Sequence, residues 1–499
     1  MKRRLFWTLL AILPLMIGVS ALFHTRFLRH RFENLTQPTQ CISAPTVAPD
    51  TPVALVATET ATMPFLAAAG MNIVSSDSEQ VFLRGVNFGN WLLWEGGALG
   101  IVNHPEHRLR RMLEERVDPA KVDIFFKAVV AHYIRAGDFG RVRAAGLNLV
   151  RLPFHHRYVQ ENGLTELDAA VSWAHANGVY VILDLHAAPG GQSADYHADA
   201  DGVARFWTDP RLQEETLRLW ETLATRYRNE PAVAGYEVLN EPDVADSAAL
   251  AGFYQRAIAR IRAIDGRHII FLDGNHFAGD FDIFTPPLAP NVVYVFHHYC
   301  ETAEQMRARI NEQGYLRFMH QYQVPVMCFE FGDYRLTRDF ERSGIHWAAW
   351  SYKTVREYPC GSLYRLADTA PWNRWLAGVT ETARTAERES GTFWPEALAG
   401  STLSTDCRRE LAGALGRTSA EELKRMFRVA LHKYPADRVE LTRLSRLSLN
   451  RREELWVDAL AAKLRSMEVA EIEALAESLA TEHWIADRGT ARFLDTRFR

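Results

Sequence analysis

From residue 70 onward, short apolar runs rich in β-branched and aromatic residues recur along the chain, separated by longer stretches with a helical apolar period. Residues 71–74 and 81–87 predict a short hairpin leading into a first strand at 82–86. Further runs follow at 147–151, 179–184, 234–239, 268–272, 292–296, 324–329 and 345–350, which makes eight. Between them, residues 212–227 and 249–264 are apolar at about every third or fourth position, the spacing of an amphipathic helix. Strands alternating with helices imply parallel βαβ units. Eight such units predict an α/β fold closed into a (β/α)8 TIM barrel.

In that architecture, reactive groups gather at the C-terminal ends of the strands. The second run leads to Arg151, the third to His186, the fourth to Asn240, Glu241 and Pro242, the sixth to His297, His298 and Tyr299, the seventh to Glu330 and the eighth to Trp350. Six strand ends in register carrying polar or aromatic groups are hard to explain as ordinary loop starts.

The flanks have a different texture. Lys2, Arg3 and Arg4 precede an apolar run at 5–23, and Arg26, Arg29 and Arg31 follow it. Residues 1–33 are therefore expected to be a signal peptide or signal anchor. If uncleaved, the segment attaches the chain to a membrane; in either case the localisation is expected to be extracytoplasmic, as a membrane-anchored, periplasmic or secreted protein. Residues 34–69 are rich in Thr, Pro and Ala and predict a linker. The catalytic unit is expected over 70–380, and 381–499 is helical and charged, with an apolar stripe of Leu423, Met426, Phe427 and Leu431. That last region fits a helical domain packed on the barrel or a docking module, and no protein partner can be named for it.

A net charge of -4 gives no reason to expect nucleic acid as a partner. The 13 Trp suit both core packing and stacking on sugar rings. The five cysteines have no metal-type spacing; Cys300 and Cys360 follow predicted strand ends and are a pair that can approach. Adjacent residues of an extended run point to opposite sides, so neither His155 with His156 nor His297 with His298 is expected to chelate. His104 and His107 fall in an insertion after the first strand and are expected at the surface. No cofactor and no metal are expected.

Glycoside cleavage needs an acid for the leaving oxygen, and with retention of configuration a second carboxylate about 5–5.5 Å away to attack the anomeric carbon. Strands four and seven lie on opposite sides of a small barrel, so Glu241 and Glu330 can face one bond across its mouth. Glu241 is the candidate acid/base and must hold a proton near neutral pH; Glu330 is the candidate nucleophile and must stay ionised, with Arg151 as its cationic partner. Asn240 can hydrogen-bond a sugar 2-hydroxyl.

At these residues the chain resembles glycoside hydrolase family five over about residues 70–378. The motifs are LRGVN (83–87), VRLP (150–153), LDLH (183–186), LNEP (239–242), FHHY (296–299) and FEFG (329–332). The resemblance implies Glu241 and Glu330 as the catalytic pair, with Arg151, His186, Asn240, His297, Tyr299 and Trp350 binding substrate. GVNFGNWLLWE (85–95), HAAPGGQ (186–192) and WSYKT (350–354) are similar to the exo-β-1,3-glucanase branch, which implies that Glu95 binds hydroxyls of a terminal sugar. Phe154, His155 and His156 depart from that branch. The expected function is a retaining β-glycoside hydrolase on a β-linked glycan, exo-acting on β-1,3-glucan. The alternatives are an endo-β-1,4-glucanase, a transglycosylase and, from another class, a non-catalytic carbohydrate-binding barrel.

Overall fold

The computed structural model describes residues 63–486, except 102, 162, 300–302, 356–361, 390–397, 415–429, 431–432 and 481–482. The N-terminal basic and apolar segment, most of the linker, the whole stripe of Leu423, Met426, Phe427 and Leu431, and Cys41, Cys300 and Cys360 lie outside the described residues. Cys328 and Cys407 are buried and form no disulfide among the described residues. No helix among the described residues is long and apolar enough to cross a membrane.

The strands after the N-terminal hairpin are β3 (Arg84–Asn87), β4 (Leu149–His155), β5 (Tyr180–Ala187), β6 (Val233–Glu237), β7 (Ile269–Asp273), β8 (Val292–His297), β9 (Val326–Glu330) and β10 (His346–Ala349). They close a barrel in the order β10-β3-β4-β5-β6-β7-β8-β9, every neighbouring pair parallel. Each lies within a few residues of its predicted run, because a strand buried on both faces reads as a continuous apolar segment.

The expected pairing of 71–74 with the run from 81 is present as a bridge between Val74 and Gln80 and a bond from the Val81 N–H to the Ile73 carbonyl oxygen. The regular hairpin ahead of the barrel lies one arm earlier. Its arms are β1 (Leu66–Ala69) and β2 (Asn72–Ser75), paired antiparallel, so residues assigned to the linker are structured. Residues 81–87 instead run into β3. Leu66 and Ile73 join Leu83, Leu149, Ile182, Phe271, Val293, Val295, Met327, Phe329 and Ala348 in one apolar cluster. A second, larger cluster lies between the strands and the surrounding helices.

Along the strands, side chains alternate with period two. Stepping from the apolar cluster toward the C-terminal ends, Leu149 is followed by Arg151, Ile182 by Asp184, Phe271 by Asp273 and Val295 by His297. Polarity is therefore stacked on an apolar floor. Gly235 allows β6 and β7 to approach, since a Cβ there would stand 2.0 Å from the carbonyl oxygen of Ile269.

The described part of the C-terminal region packs onto this domain. Trp372, at the start of the helix Pro371–Glu389, stacks on Phe125 of the helix Pro119–Tyr133. After the helix Val469–Glu477, strand β13 (Trp484–Ala486) pairs with β12 (Tyr364–Leu366), which pairs with β11 (Lys353–Thr354). There Lys353 and Asp138 form a fully buried ion pair at 2.8 Å, with Lys353 Nζ 5.0 Å from the centre of the Trp484 ring.

Candidate active site

Arg151 organises the mouth of the barrel. It is fully buried, and its Nε and Nη2 donate to the two oxygens of Glu237 at 2.7 and 2.6 Å. Nη1 donates to Asn87 Oδ1 at 2.9 Å and Glu330 Oε1 at 2.8 Å. Nη2 also reaches Asn240 Oδ1 at 2.7 Å and Asp184 Oδ2 at 2.9 Å. A planar fork of donors is what lets one side chain satisfy so many acceptors. Burial opposes its charge, but Asp184, Glu237 and Glu330 outweigh that and hold its pKa well above the ordinary value.

Glu330 ends β9. The register of β8 against β9 shifts between Phe296 and His297, pairing His297 with Glu330. Such a bulge re-aims a side chain, so Phe329 joins the apolar floor while Glu330 still faces Arg151. Glu330 Oε2 accepts from the Tyr299 hydroxyl at 2.6 Å. Glu241 lies beyond β6 with φ +42°, a left-handed conformation rare for a residue with a side chain. Its backbone N–H donates to Asp273 Oδ2 at 2.8 Å, which helps hold the turn.

One carboxylate oxygen of Glu241, one of Glu330 and a ring nitrogen of His297 all lie within 4.8 Å of one another. His297 Nδ1 stands 3.0 Å from Glu241 Oε1 and 3.6 Å from Glu330 Oε1. On the other flank, His186 Nδ1 is 2.7 Å from Asp184 Oδ2, and Trp350 stacks on the His186 ring at 5.5 Å. Trp350 lies against Gly89, where a Cβ would stand 2.8 Å from the indole. Glu95 arrives from the loop after β3 with its carboxylate 3.6 Å from His186 Nε2. All nine expected site residues, Glu95, Arg151, His186, Asn240, Glu241, His297, Tyr299, Glu330 and Trp350, thus meet at one end of the barrel.

The state of His186 is set by competing demands. Burial disfavours its charge, yet Asp184 above all, then Glu95 and Glu330, push its pKa up to about 10. Against this, Asn240 presents Nδ2 to His186 Nε2 at 3.1 Å and cannot turn without losing its bond to Arg151. That contact needs Nε2 as an acceptor, so we take the neutral ring as the resting form.

Asn87 and Asp184 entered the sequence reading only as motif letters, and three further residues of the site were not anticipated at all. Glu237 and Asp273 end β6 and β7, and His197 sits on a one-turn helix, Tyr196–Ala198, in the loop after β5. Period-two counting along the strands would have found Asp273, two residues beyond Phe271. Burial pushes Glu237 up to about 7 despite Arg151. Asp273, buried beside Glu237, is raised well above the carboxylate range.

By distance alone, Glu95, His186 and His197 are close enough to hold a cation, as are Glu237, Asp273 and His297, and Glu241, His297 and Glu330. Each set is already engaged with protein: His186 with Asp184 and Asn240, Glu237 with Arg151, Glu330 with Arg151 and Tyr299.

Two expectations about histidines are corrected. The His155 and His156 rings lie side by side, centres 4.3 Å apart, because β4 ends at His155 and His156 has helical dihedrals, φ −50° and ψ −30°. His104 is buried, not exposed, with burial and Arg108 lowering its pKa to about 4.

A family profile described as Cellulase (glycosyl hydrolase family 5) matches residues 126–354. The chain is 30% identical over 341 residues to a Beta-xylosidase of Phanerodontia chrysosporium, covering 59% of this chain and 71% of that one. It is 29% identical over 249 residues to a Probable glucan 1,3-beta-glucosidase A of Aspergillus niger, covering 45% of this chain and 57% of the relative. Against Endoglucanase C of Acetivibrio thermocellus the identity is 26% over 191 residues, covering 36% and 54%. The chain thus spans little more than half the length of the last two relatives. Barrel, profile and relatives agree, and the chain belongs to glycoside hydrolase family 5, the cellulase family, as a β-glycoside hydrolase.

Proposed function

We propose that the chain hydrolyses a β-glucan-type oligosaccharide or polysaccharide by double displacement, removing a terminal sugar, with Glu241 as acid/base and Glu330 as nucleophile. The observation that carries this reading is the unequal surroundings of two close carboxylates. Glu330 accepts from Arg151 at one oxygen and from the Tyr299 hydroxyl at the other. The oxygens of Glu241 face the imidazoles of His297 and His197 instead. With one oxygen of each within 4.8 Å of the other, their approach is nearer the roughly 5–5.5 Å of retaining enzymes than the roughly 6.5–9.5 Å of inverting ones.

In the first step Glu330 attacks the anomeric carbon while the proton of Glu241 passes to the departing glycosidic oxygen. In the second, Glu241 takes a proton from water as the water oxygen displaces Glu330. Asn240, held through its Oδ1 by Arg151, is positioned to meet the 2-hydroxyl, a contact that tightens in the transition state. Trp350 offers an aromatic face for the sugar, and Glu95 a carboxylate for its hydroxyls.

Glu95 supports the terminal-sugar reading, since its buried carboxylate beside His186 is placed to accept hydrogen bonds from the hydroxyls of a terminal sugar. The similarity to an endoglucanase supports a second reading, internal cleavage of β-1,4-glucan. Product analysis on laminari- and cello-oligosaccharides, with anomers followed by NMR, separates them. Release of single sugars as the initial β-anomer fits the proposal; internal products favour the second reading, an initial α-anomer overturns retention, and no turnover of any substrate favours a binding barrel. The localisation we propose is extracytoplasmic, with an expressed full-length chain expected in the membrane or exported fraction.

A further inference from the structure

The two oxygens of Glu241 face two different imidazoles. Oε1 lies 3.0 Å from His297 Nδ1, and His297 ends barrel strand β8. Oε2 lies 3.4 Å from His197 Nε2. His197 belongs to no strand; it sits in the loop after β5 and is 3% exposed. Its Nε2 is buried and makes no hydrogen bond, although Asp195 Oδ2 is 3.8 Å away. An unpaired buried N–H is costly, and native structures keep few of them.

The ring is held in place. It packs edge-on against Tyr196 and His186 and lies tilted against Phe277. The loop that carries it is fastened two residues later, where Asp199 meets His155 Nε2 at 2.9 Å and His107 Nδ1 at 3.1 Å. Its base is fixed by Gln192, whose Nε2 donates to the carbonyl oxygens of His186 and Asn240. These bonds aim an unpartnered ring nitrogen at the candidate acid/base.

We propose that His197 is a positioning residue for the acid/base step, its Nε2–H receiving the negative charge that Glu241 acquires when its proton leaves. The inference rests on the reading of Glu241 as acid/base. In the first half-reaction the Glu241 O–H bond breaks and its proton joins the glycosidic oxygen, as the C1–O bond breaks and the bond from C1 to Glu330 forms. Glu241 is then a carboxylate, and the N–H of His197 closes on it. In the second half-reaction a water O–H bond breaks, its proton returns to Glu241, and the water oxygen displaces Glu330 from C1. His197 then loses its partner again. An interaction stronger during reaction than before it lowers the barrier.

The other charged and titratable groups facing this pair are Asp195 on the same loop, His186 and Glu95 on one side, and Asp273, His297 and Glu330 on the other. The carboxylates among them disfavour a new charge on Glu241, so an N–H aimed at its outer oxygen opposes them.

The test uses the full chain and aryl β-glucosides with a range of leaving groups. His197→Ala is expected to lower kcat/KM by about 10- to 100-fold for poor leaving groups, the range for a hydrogen bond to a charged group. The loss should be less than about threefold for dinitrophenyl, which departs without a proton. The basic limb of the pH profile should move upward by about one unit, because loss of the N–H favours the protonated acid. His197→Gln, which keeps a donor, should recover part of the loss. If His197→Ala does not fold, His197→Phe fills the volume without the N–H and is read the same way. An equal loss across all leaving groups, or a change confined to KM, overturns the proposal. Glu241→Ala in the same series separates the two levels. If it shows no leaving-group dependence, the reading of Glu241 fails; if it does and the His197 variants do not, only the role of His197 fails.

Discussion

The inside of the barrel has two halves built on the same strands with the same period, and they obey different rules. In the lower half, Leu149, Ile182, Phe271, Val293, Met327 and Ala348 pack together and need nothing beyond shape. One inward step higher, Asn87, Arg151, Asp184, Glu237 and Asp273 are as completely buried, but they carry charge or amide groups. The lower half stabilises by removing apolar surface from water. The upper half holds together only as a set, because a buried ion pair gains little net stability yet loses much when one partner is removed. The upper network therefore depends on its own hydrogen bonds and ion pairs and is carried by the apolar floor.

The sharpest break between the halves comes from Glu330→Ala. It is expected to lower kcat by on the order of 10⁴ or more, as for nucleophiles that act as part of a set. The melting temperature should fall less than for removal of the cation itself, since Arg151 keeps Asp184 and Glu237 as counter-ions. Retained turnover would refute the assignment of the nucleophile. Arg151→Met should do the opposite in emphasis. It leaves Asp184, Glu237 and Glu330 around a missing cation, at a cost of about 3–5 kcal/mol in stability. Urea unfolding measures this; a loss below about 1 kcal/mol would mean that the carboxyls take up protons instead of strain.

Asp273 gives a pH handle on the same network. Its folded pKa lies well above the ordinary 3.8, through burial first and the Glu237 charge next. The folded state then binds more protons than the unfolded chain above that value, so its contribution to stability falls as pH rises. The slope is up to about 1.4 kcal/mol per pH unit for one proton. Glu237, raised from 4.5 to about 7, acts in the same direction over that window. Asp273→Asn keeps an oxygen for the Glu241 N–H and should flatten the fall in stability between about pH 4 and pH 7. An unchanged slope in urea midpoints would place the proton elsewhere.

The same division explains what could be read from the chain. The eight strands were legible because each is a continuous apolar run, and the expected site residues because they stand where those runs stop. The hairpin was misplaced because its first arm, Leu66–Ala69, is mostly alanine and carries no strand signature. Glu237 was hidden inside the predicted run at 234–239, while Asp273, directly after the run at 268–272, was passed over as an ordinary loop start. His197 was hidden for the opposite reason, since its three-residue helix has no periodicity and its partner Glu241 is far away in sequence. The anchoring of Lys353 by Asp138 and Trp484 was equally invisible, because it joins three distant segments by burial alone.

The smallest expected effect is the one that tests whether the halves are separable. Ile182 lies in the floor directly below Asp184 on β5, fully buried and with no polar role. Ile182→Val removes one methyl group and should cost about 0.5–1.5 kcal/mol in stability. Asp184 and His186 above it are held by their own bonds to Arg151 and to each other, and these do not depend on the missing methyl. Kcat/KM should therefore stay within about twofold, the scatter left when no transition-state contact changes. A fall of tenfold or more, with stability lost only by the expected amount, would mean that the floor sets the position of the network by packing as well as supporting it.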